Sequence, residues 1–307
     1  MRILFMGTPD FAVPCLQSIL DAGHEVCAVF TQPDKPKGRK YTLTPPPVKV
    51  LALENNLSVF QPITLRNQEA IELIKSLHPD CIVVVAYGKI LPKEILDIPS
   101  KGCINVHASL LPKYRGAAPI QWSVINGETI TGVTTMYMGE GIDTGDMLQT
   151  VKTEIDPNET AGELQDRLAQ MGAKLIVETL QQIKDGTAKR VPQCNEEATY
   201  VSILKKELSK IDWNCPAQQI HNLVRGLSPW PVASTEYHGK LLKVHKSAVV
   251  TGFQGEAGEI ANSDGFVVCC GDNTALELVE VQYEGGKRMS GKEFLCGHPA
   301  EKQTVLS

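Results

Sequence analysis

Asn105 and His107 stand two residues apart at the end of an apolar run, in GCINVHASLLPKYRGAAPIQW, residues 102–122. In an extended strand side chains alternate with period two, so both project from one face. An Asn amide donates to a developing oxyanion, and a His serves as a second donor or as a proton shuttle near neutral pH. A third group, Asp143, lies between Gly141 and Gly145 in GEGIDTGDM, where glycines allow tight turning and close approach to a ligand. A carboxylate beside an imidazole orients it and collects a proton from an attacking nucleophile. The three together suit acyl transfer. No Ser or Cys occupies a G-x-S-x-G elbow, so the nucleophile is expected to be the substrate's own, an amine attacking a carbonyl. The alternative for His107 is a ring satisfied by a backbone group at a strand end.

The elements that must hold these residues alternate between strand and helix. RILFMG (2–7) and EVCAVFT (25–31) are β-branched and aromatic runs around PDFAVPCLQSILDAG, whose Leu16, Ile19 and Leu20 recur at helical spacing before Gly23. EAIELIKSL reads as an amphipathic helix, CIVVVAYG (81–88) as a strand apolar on both faces, and GCINVHAS as the next strand. A helix near PIQWSVING, a strand GVTTMYM and a long helix over 159–186 follow. This is an α/β protein with an open, mostly parallel sheet, which binds ligands beyond the carboxyl ends of its strands. GTPDF after the first strand lacks the second and third glycines of a dinucleotide fingerprint, so NAD binding is not expected. TAKRVPQCNEEATYVSILKKELSK has no clear period and reads as a surface linker. From Ile211 one helix, CPAQQIHNLVRGL, precedes short strands parted by Gly turns, which predicts a smaller OB-like β-barrel.

The chain has 307 residues, 42% hydrophobic and 21% charged, the composition of a soluble globular protein. The first apolar run ends at Gly7, too early for a signal peptide or a membrane span, so a cytoplasmic location without a membrane partner is expected. Nine cysteines without C-x-x-C spacing and seven scattered histidines indicate neither a disulfide framework nor a metal site. Adjacent Cys269 and Cys270 are expected to be ordinary buried or half-buried thiols. A net charge of -5 weighs mildly against a polyanionic partner.

INVHASLLPKYRGAAPIQW together with GIDTGDM resembles the formyltransferases that use 10-formyltetrahydrofolate, where N-x-H-x-S-L-L-P followed by D-T-G is specific. The flanking MGTPDFA, TQPDKPKGR, PPPVKVLA, VVVAYGKILP, IDW and LSPWP extend the resemblance over nearly the whole chain and narrow it to the methionyl-tRNA branch of that family. The resemblance implies a Rossmann-like catalytic domain over 1–188, a linker over 189–209 and a β-barrel tRNA-binding domain over 210–307. It implies the catalytic trio Asn105, His107 and Asp143. It places the folate cosubstrate against Ser109, Leu110, Leu111 and Pro112, and its pterin against the segment Ala86, Tyr87, Gly88, Ile90 and Leu91; for Tyr87 and Leu91 core packing is the alternative. The implied acceptor is initiator methionyl-tRNA, with no metal and no obligate protein partner.

For the acceptor the resemblance points to the basic loop QPDKPKGRKYTLTPPP, which carries Lys35, Lys37, Arg39 and Lys40; Arg39 matches the family's key arginine, whereas Tyr41 and Thr42 stand where further lysines are common. From Lys205 onward 11 Lys and Arg face 12 Asp and Glu, so a tRNA surface there must come from clustering, with Lys205, Lys206 and Lys210, and Lys240, Lys243 and Lys246 along one hairpin, as candidates. A solvated role for these lysines is the alternative. Two rivals remain at this stage: the same chemistry on glycinamide ribonucleotide or an amino sugar nucleotide, and a noncatalytic RNA-binding protein on an enzyme fold.

Overall fold

The computed structural model describes residues 1–37, 41–262, 264–300 and 304–307, with Lys37 by its backbone alone. The chain divides into two compact units: 1–116, 131–153 and 165–200 form the first, and 117–130, 154–164 and 201–307 the second.

The first unit is built on a seven-stranded sheet in the order Met147–Glu154, Ile130–Tyr137, Cys103–His107, Cys81–Val85, Arg2–Gly7, Glu25–Phe30, Val59–Phe60. The five strands from Cys103–His107 to Val59–Phe60 are parallel, and Ile130–Tyr137 joins antiparallel. All five residues of Cys81–Val85 are buried, as in a strand covered on both faces. From Arg2–Gly7 the chain builds outward one way through Glu25–Phe30, then returns to build the other way from Cys81–Val85. The reversal leaves a crevice at the carboxyl ends of those two central strands. Gly7 closes the first strand there because a Cβ would lie 2.8 Å from Phe5 Cε1, 2.9 Å from Ala12 Cβ and 3.0 Å from the Val85 carbonyl. Its requirement is therefore close packing, which explains a lone glycine without a dinucleotide fingerprint.

Helices Val13–Asp21, Gln68–Ser76 and Ala161–Asp185 stand where the apolar spacing puts them. The Asn67 side chain caps Gln68–Ser76 by accepting from the Ala70 N–H at 3.2 Å. Three features differ from the sequence reading. Helix Pro47–Glu54 emerges from PPPVKVLA, its first turn opened by a proline whose missing N–H costs nothing at that position. Strand Met147–Glu154 adds an antiparallel edge whose later residues alternate between half-buried and exposed. The strand expected over 81–88 stops at Val85, because Ala86 turns into the left-handed region at φ 47°.

In the second unit helix Pro119–Ile125 packs beside helix Ala217–Gly226, and its Trp122 and Ile125 join the unit's apolar core. That apolar face explains why a helix inside the α/β alternation clusters with the later sequence. Five strands follow in the order Ala233–Tyr237, Lys240–Val250, Thr274–Tyr283, Val267–Cys270, Ile260–Asn262, with Arg288–Ser290 also on Thr274–Tyr283; every pairing is antiparallel. The two outer strands are bridged by the last residues of the chain. The Thr304 carbonyl accepts from Ile260 N–H at 3.0 Å, Leu306 N–H donates to the Gly258 carbonyl at 2.9 Å, and the Ser307 carbonyl accepts from Glu236 N–H at 2.8 Å. These bonds, with the Ile211 N–H donating to the Ser234 carbonyl at 2.9 Å, cover part of both sheet edges. Inside, Phe266 and Phe294 stack at 5.7 Å, with Tyr237 edge-on to both. Cys269 and Cys270 are both buried, and burial pushes the Cys270 thiol up to about 12.

Leu306 joins this core from the bridging segment, with 3% of its surface exposed. Leu306→Ala should therefore lower the unfolding free energy by about 2–5 kcal/mol in denaturant titration. A loss within about 0.5 kcal/mol would show that the bridge adds nothing to the fold.

Candidate active site

Asp143 is the point on which the site converges. Its Oδ1 accepts from Asn105 Nδ2 at 3.3 Å. Its Oδ2 accepts from the Gly116 backbone N–H at 2.8 Å and lies 3.6 Å from His107 Nδ1. The strand Cys103–His107 presents Asn105 and His107 to the same carboxylate, as the period-two spacing requires. On its other side the His107 ring meets the Tyr114 carbonyl, 2.9 Å from Nε2. A carbonyl only accepts, so Nε2 carries a hydrogen and Nδ1 is left to face Asp143. A proton arriving on Nδ1 is then held against a carboxylate. The backbone contact that was the bland reading of His107 is thus present, and it fixes the tautomer.

The loops that deliver these groups are held by polar side chains. Asp143 itself adopts φ 51° and Tyr114 φ 60°, left-handed conformations that are uncommon for non-glycine residues, Asp being more tolerant of them than Tyr. Thr134, buried and opposite His107 in the register, donates from Oγ1 to the Ser109 carbonyl at 2.8 Å and accepts from Leu111 N–H at 3.4 Å. Ser109 Oγ donates to the Lys113 carbonyl at 2.7 Å. The segment over 191–200 binds both loops. Tyr114 N–H and Arg115 N–H donate to Thr199 Oγ1 and to its carbonyl, each at 2.8 Å. Met147 and Val191 exchange backbone bonds at 2.8 and 2.9 Å. Gln193 Nε2 donates to the carbonyls of Asp143 and Gly145 at 2.8 and 2.7 Å. Two hydrogen-bond donors and a proton-accepting pair around one point can stabilise a developing oxyanion and move a proton.

Residues 1–180 match the formyl transferase family and residues 203–299 the formyl transferase C-terminal domain. The methionyl-tRNA formyltransferases of Clostridioides difficile and Acetivibrio thermocellus are 53% and 50% identical to this chain, each match covering 100% of it and 100% and 99% of the relative. The chain belongs to the methionyl-tRNA formyltransferase family. An N-formyltransferase from Helicobacter canadensis, solved with folinic acid and dTDP-3-aminofucose, shares the fold at TM-score 0.67 and 20% identity, over 92% of this chain and 99% of that one.

Against this family's pattern, the positions expected to meet the folate divide into two sets. Ala86, Gly88 and Ile90 are exposed at the carboxyl end of Cys81–Val85, whereas Tyr87 and Leu91 are buried in the core beneath them. The Tyr87 carbonyl accepts from Thr8 Oγ1 at 3.2 Å and from Gln32 Nε2 at 3.0 Å, joining three loops at the topological reversal. Ser109 and Leu111 are buried; Leu110 and Pro112 are half-buried. Of the expected basic loop, Arg39 and Lys40 lie outside the described residues. Lys35 is exposed in a hairpin formed by Lys35–Lys37 and Thr42–Thr44. The base of that loop is anchored by Lys49, whose Nζ donates to both Asp34 carboxylate oxygens at 2.9 Å and to Gln61 Oε1 at 2.8 Å. Hydrogen bonds from Lys49 and Gln61 hold the Asp34 carboxyl below the usual carboxylate range. In the second unit Lys205, Lys206 and Lys210 are exposed and Lys243 half-buried; Lys210 and Lys243 flank Ser234 in the strand register. Arg115, Thr134 and Gln193 were missed by sequence reasoning. Two cations, Lys113 and Arg115, stand inside the otherwise apolar LLPKYRGAAP, a weak signal for Arg115, but Gln193 sits in a segment without any period. Among the described residues no group of His, Cys, Asp and Glu is assembled to hold a metal ion, and no helix is long and apolar enough to cross a membrane.

Gly145 lets the Asp143 loop pass the strand Ile130–Tyr137, since a Cβ there would lie 1.8 Å from the Tyr137 carbonyl oxygen. Gly145→Ala should cost about 1–3 kcal/mol of stability. Gly139→Ala, with no atom within 4 Å of the added carbon, is the control and should stay within about 0.5 kcal/mol. Equal unfolding curves for the two variants would contradict this account of the loop.

Proposed function

We infer that this chain transfers a formyl group from 10-formyltetrahydrofolate to the α-amino group of methionine carried by initiator tRNA. The reading rests on one observation above the rest: a carboxylate shared by an Asn amide, a backbone N–H and the free nitrogen of a His, in a chain half identical to methionyl-tRNA formyltransferases end to end. The amine attacks the formyl carbon, and the new C–N bond forms as the carbonyl becomes an oxyanion. Asn105 donates to that oxyanion, and protonated His107, its two N–H groups facing the Tyr114 carbonyl and Asp143, stabilises it by its charge. Asp143 holds the imidazolium and assists removal of the amine proton. The bond from the formyl carbon to the folate N10 then breaks as the carbonyl re-forms, and N10 takes the proton that the amine gave up. Each role is supplied by a hydrogen-bond donor or a proton acceptor, so the proposal calls for no metal.

The folate is assigned to the exposed Ala86, Gly88 and Ile90 and to the loop Ser109–Pro112, with Tyr87 and Leu91 shaping the floor from below. Backbone groups and apolar walls suit a flat heterocycle. Formyl transfer is assigned to 1–188 and tRNA binding to 210–307 through the span 189–209, with Lys35, Lys37, Arg39 and Lys40 reaching the acceptor end. Lys205, Lys206, Lys210 and Lys243 supply clustered phosphate contacts on an acidic chain. Translation initiation places this activity in the cytoplasm, with no obligate protein partner.

The decisive assay offers formyl-labelled donor with methionyl-tRNA, glycinamide ribonucleotide or an amino sugar nucleotide in separate reactions. Label is expected on methionyl-tRNA; label on a small acceptor alone would overturn the assignment, and none on any acceptor would return the chain to a noncatalytic role. Asn105→Ala should cost about 3 kcal/mol in the barrier, a hundredfold or more in turnover. Turnover within a few-fold of the parent would remove Asn105 from the mechanism. Affinity for tRNA should fall with salt, and Arg39→Ala should lower the log-log salt slope by about one while leaving folate binding unchanged. An unchanged slope would exclude a phosphate contact by Arg39.

A further inference from the structure

A buried cation stands behind the Asp143 loop and touches none of the three groups that meet there. Arg115 is 1% exposed, and its hydrogen bonds go to neutral oxygens. Its Nε and Nη2 donate to Gln193 Oε1 at 3.0 and 2.8 Å, Nη2 donates to Asn195 Oδ1 at 3.0 Å, and Nη1 donates to the Tyr200 hydroxyl at 2.9 Å. Burying a guanidinium is costly unless its donors are met, and the side chains that meet them all come from the segment over 193–200. The fork on Oε1 fixes which end of the Gln193 amide faces which way, so Nε2 must point at the Asp143 and Gly145 carbonyls. Two carbonyls separated by one residue are thus drawn to a single NH2 group. That pinch holds Asp143 at φ 51°, a conformation the residue does not favour on its own.

We propose that Gln193, oriented by Arg115, is a positioning residue for formyl transfer: it sets the Asp143 carboxylate against Asn105, His107 and the Gly116 N–H. This inference rests on the catalytic reading of Asp143 given above. It also assigns a task to a segment whose sequence reads as a bare linker. Arg115 reaches the loop twice, because the residue after it supplies the N–H bound to Asp143 Oδ2. Loss of the Gln193 donor frees the backbone of Asp143 without touching the folate positions over 86–91 or the loop over 109–112. The effect should fall on kcat and spare KM for the folate donor.

The test is a double-mutant cycle between Gln193→Leu and Asp143→Asn, with kcat and KM measured on methionyl-tRNA and 10-formyltetrahydrofolate. Gln193→Leu should lower kcat about 10- to 100-fold, the scale of a misplacement near 1 Å, with KM for the donor within about 3-fold. In the Asp143→Asn background the same change should add less than about 3-fold, because its effect runs through that carboxylate. Full additivity in the cycle, or parental kcat in folded Gln193→Leu, would overturn the proposal. Gln193→Glu covers the case in which Gln193→Leu does not fold: it keeps an acceptor for Arg115 and loses the donor, so it should fold and reproduce the kcat loss. Parental kcat in Gln193→Glu would also sink the proposal. Parental kcat in Asp143→Asn alone would instead sink the catalytic reading beneath it, so the two failures are distinguishable.

Discussion

The arrangement depends on holding one aspartate in a backbone conformation it does not prefer. Asp143 turns at φ 51° with Oδ1 bonded to Asn105 and Oδ2 to the Gly116 N–H. A left-handed residue other than glycine costs about 1–2 kcal/mol, less for Asp than for most, and the surroundings offset it. Gly145 gives room for the turn beneath the Tyr137 carbonyl, and Gln193 draws in the carbonyls of residues 143 and 145. Local strain is kept at the chemistry and offset by bonds made some way from it.

The remaining elements meet that constraint from the other side. Cys103–His107 lies next to Cys81–Val85 in a parallel sheet, with Asn105 opposite Val84, so its side chains emerge where the central strands end. Antiparallel Ile130–Tyr137 then sets Thr134 opposite His107, and that threonine ties down the loop after the strand. Tyr114, at the far end of the same loop, returns its carbonyl to His107 Nε2. One strand and one loop therefore define the imidazole's position, its tautomer and the nitrogen left for Asp143. The second unit solves a separate problem, that of covering the edges of a small sheet, with residues 304–307 on both outer strands and Lys210–Ile211 on one of them.

Much of this was legible in the residues. Period-two spacing put Asn105 and His107 on one face, β-branched runs marked the central strands, and Leu16, Ile19 and Leu20 marked the first helix. The strand Met147–Glu154 is not legible in the sequence, since MLQTVKTE carries too few apolar residues to separate an edge strand from a loop. Gln193 was invisible because its importance lies in two backbone carbonyls fifty and forty-eight residues away, which leave no local pattern. Helix Pro119–Ile125 was seen as an element, but its place with the second unit follows from Trp122 and Ile125, whose partners come from beyond residue 200. Tyr87 and Leu91 could be read from sequence as core or as ligand contact; their burial makes them core, and the exposed Ala86, Gly88 and Ile90 are the ones that face outward.

The central claim is that the charge on Asp143, and not merely its shape, carries formyl transfer. Asn is nearly isosteric and adopts positive φ as readily as Asp, so Asp143→Asn keeps the backbone turn and the bond from the Gly116 N–H while it removes the charge and the second acceptor that faces Asn105. The most direct measurement is the single-turnover rate of formyl transfer from 10-formyltetrahydrofolate to methionyl-tRNA by this variant, with both substrates saturating. A fall of about a hundredfold or more, the range of general acid-base contributions, is the predicted result. A rate within about 3-fold of the parent would contradict the account and leave Asp143 a structural residue.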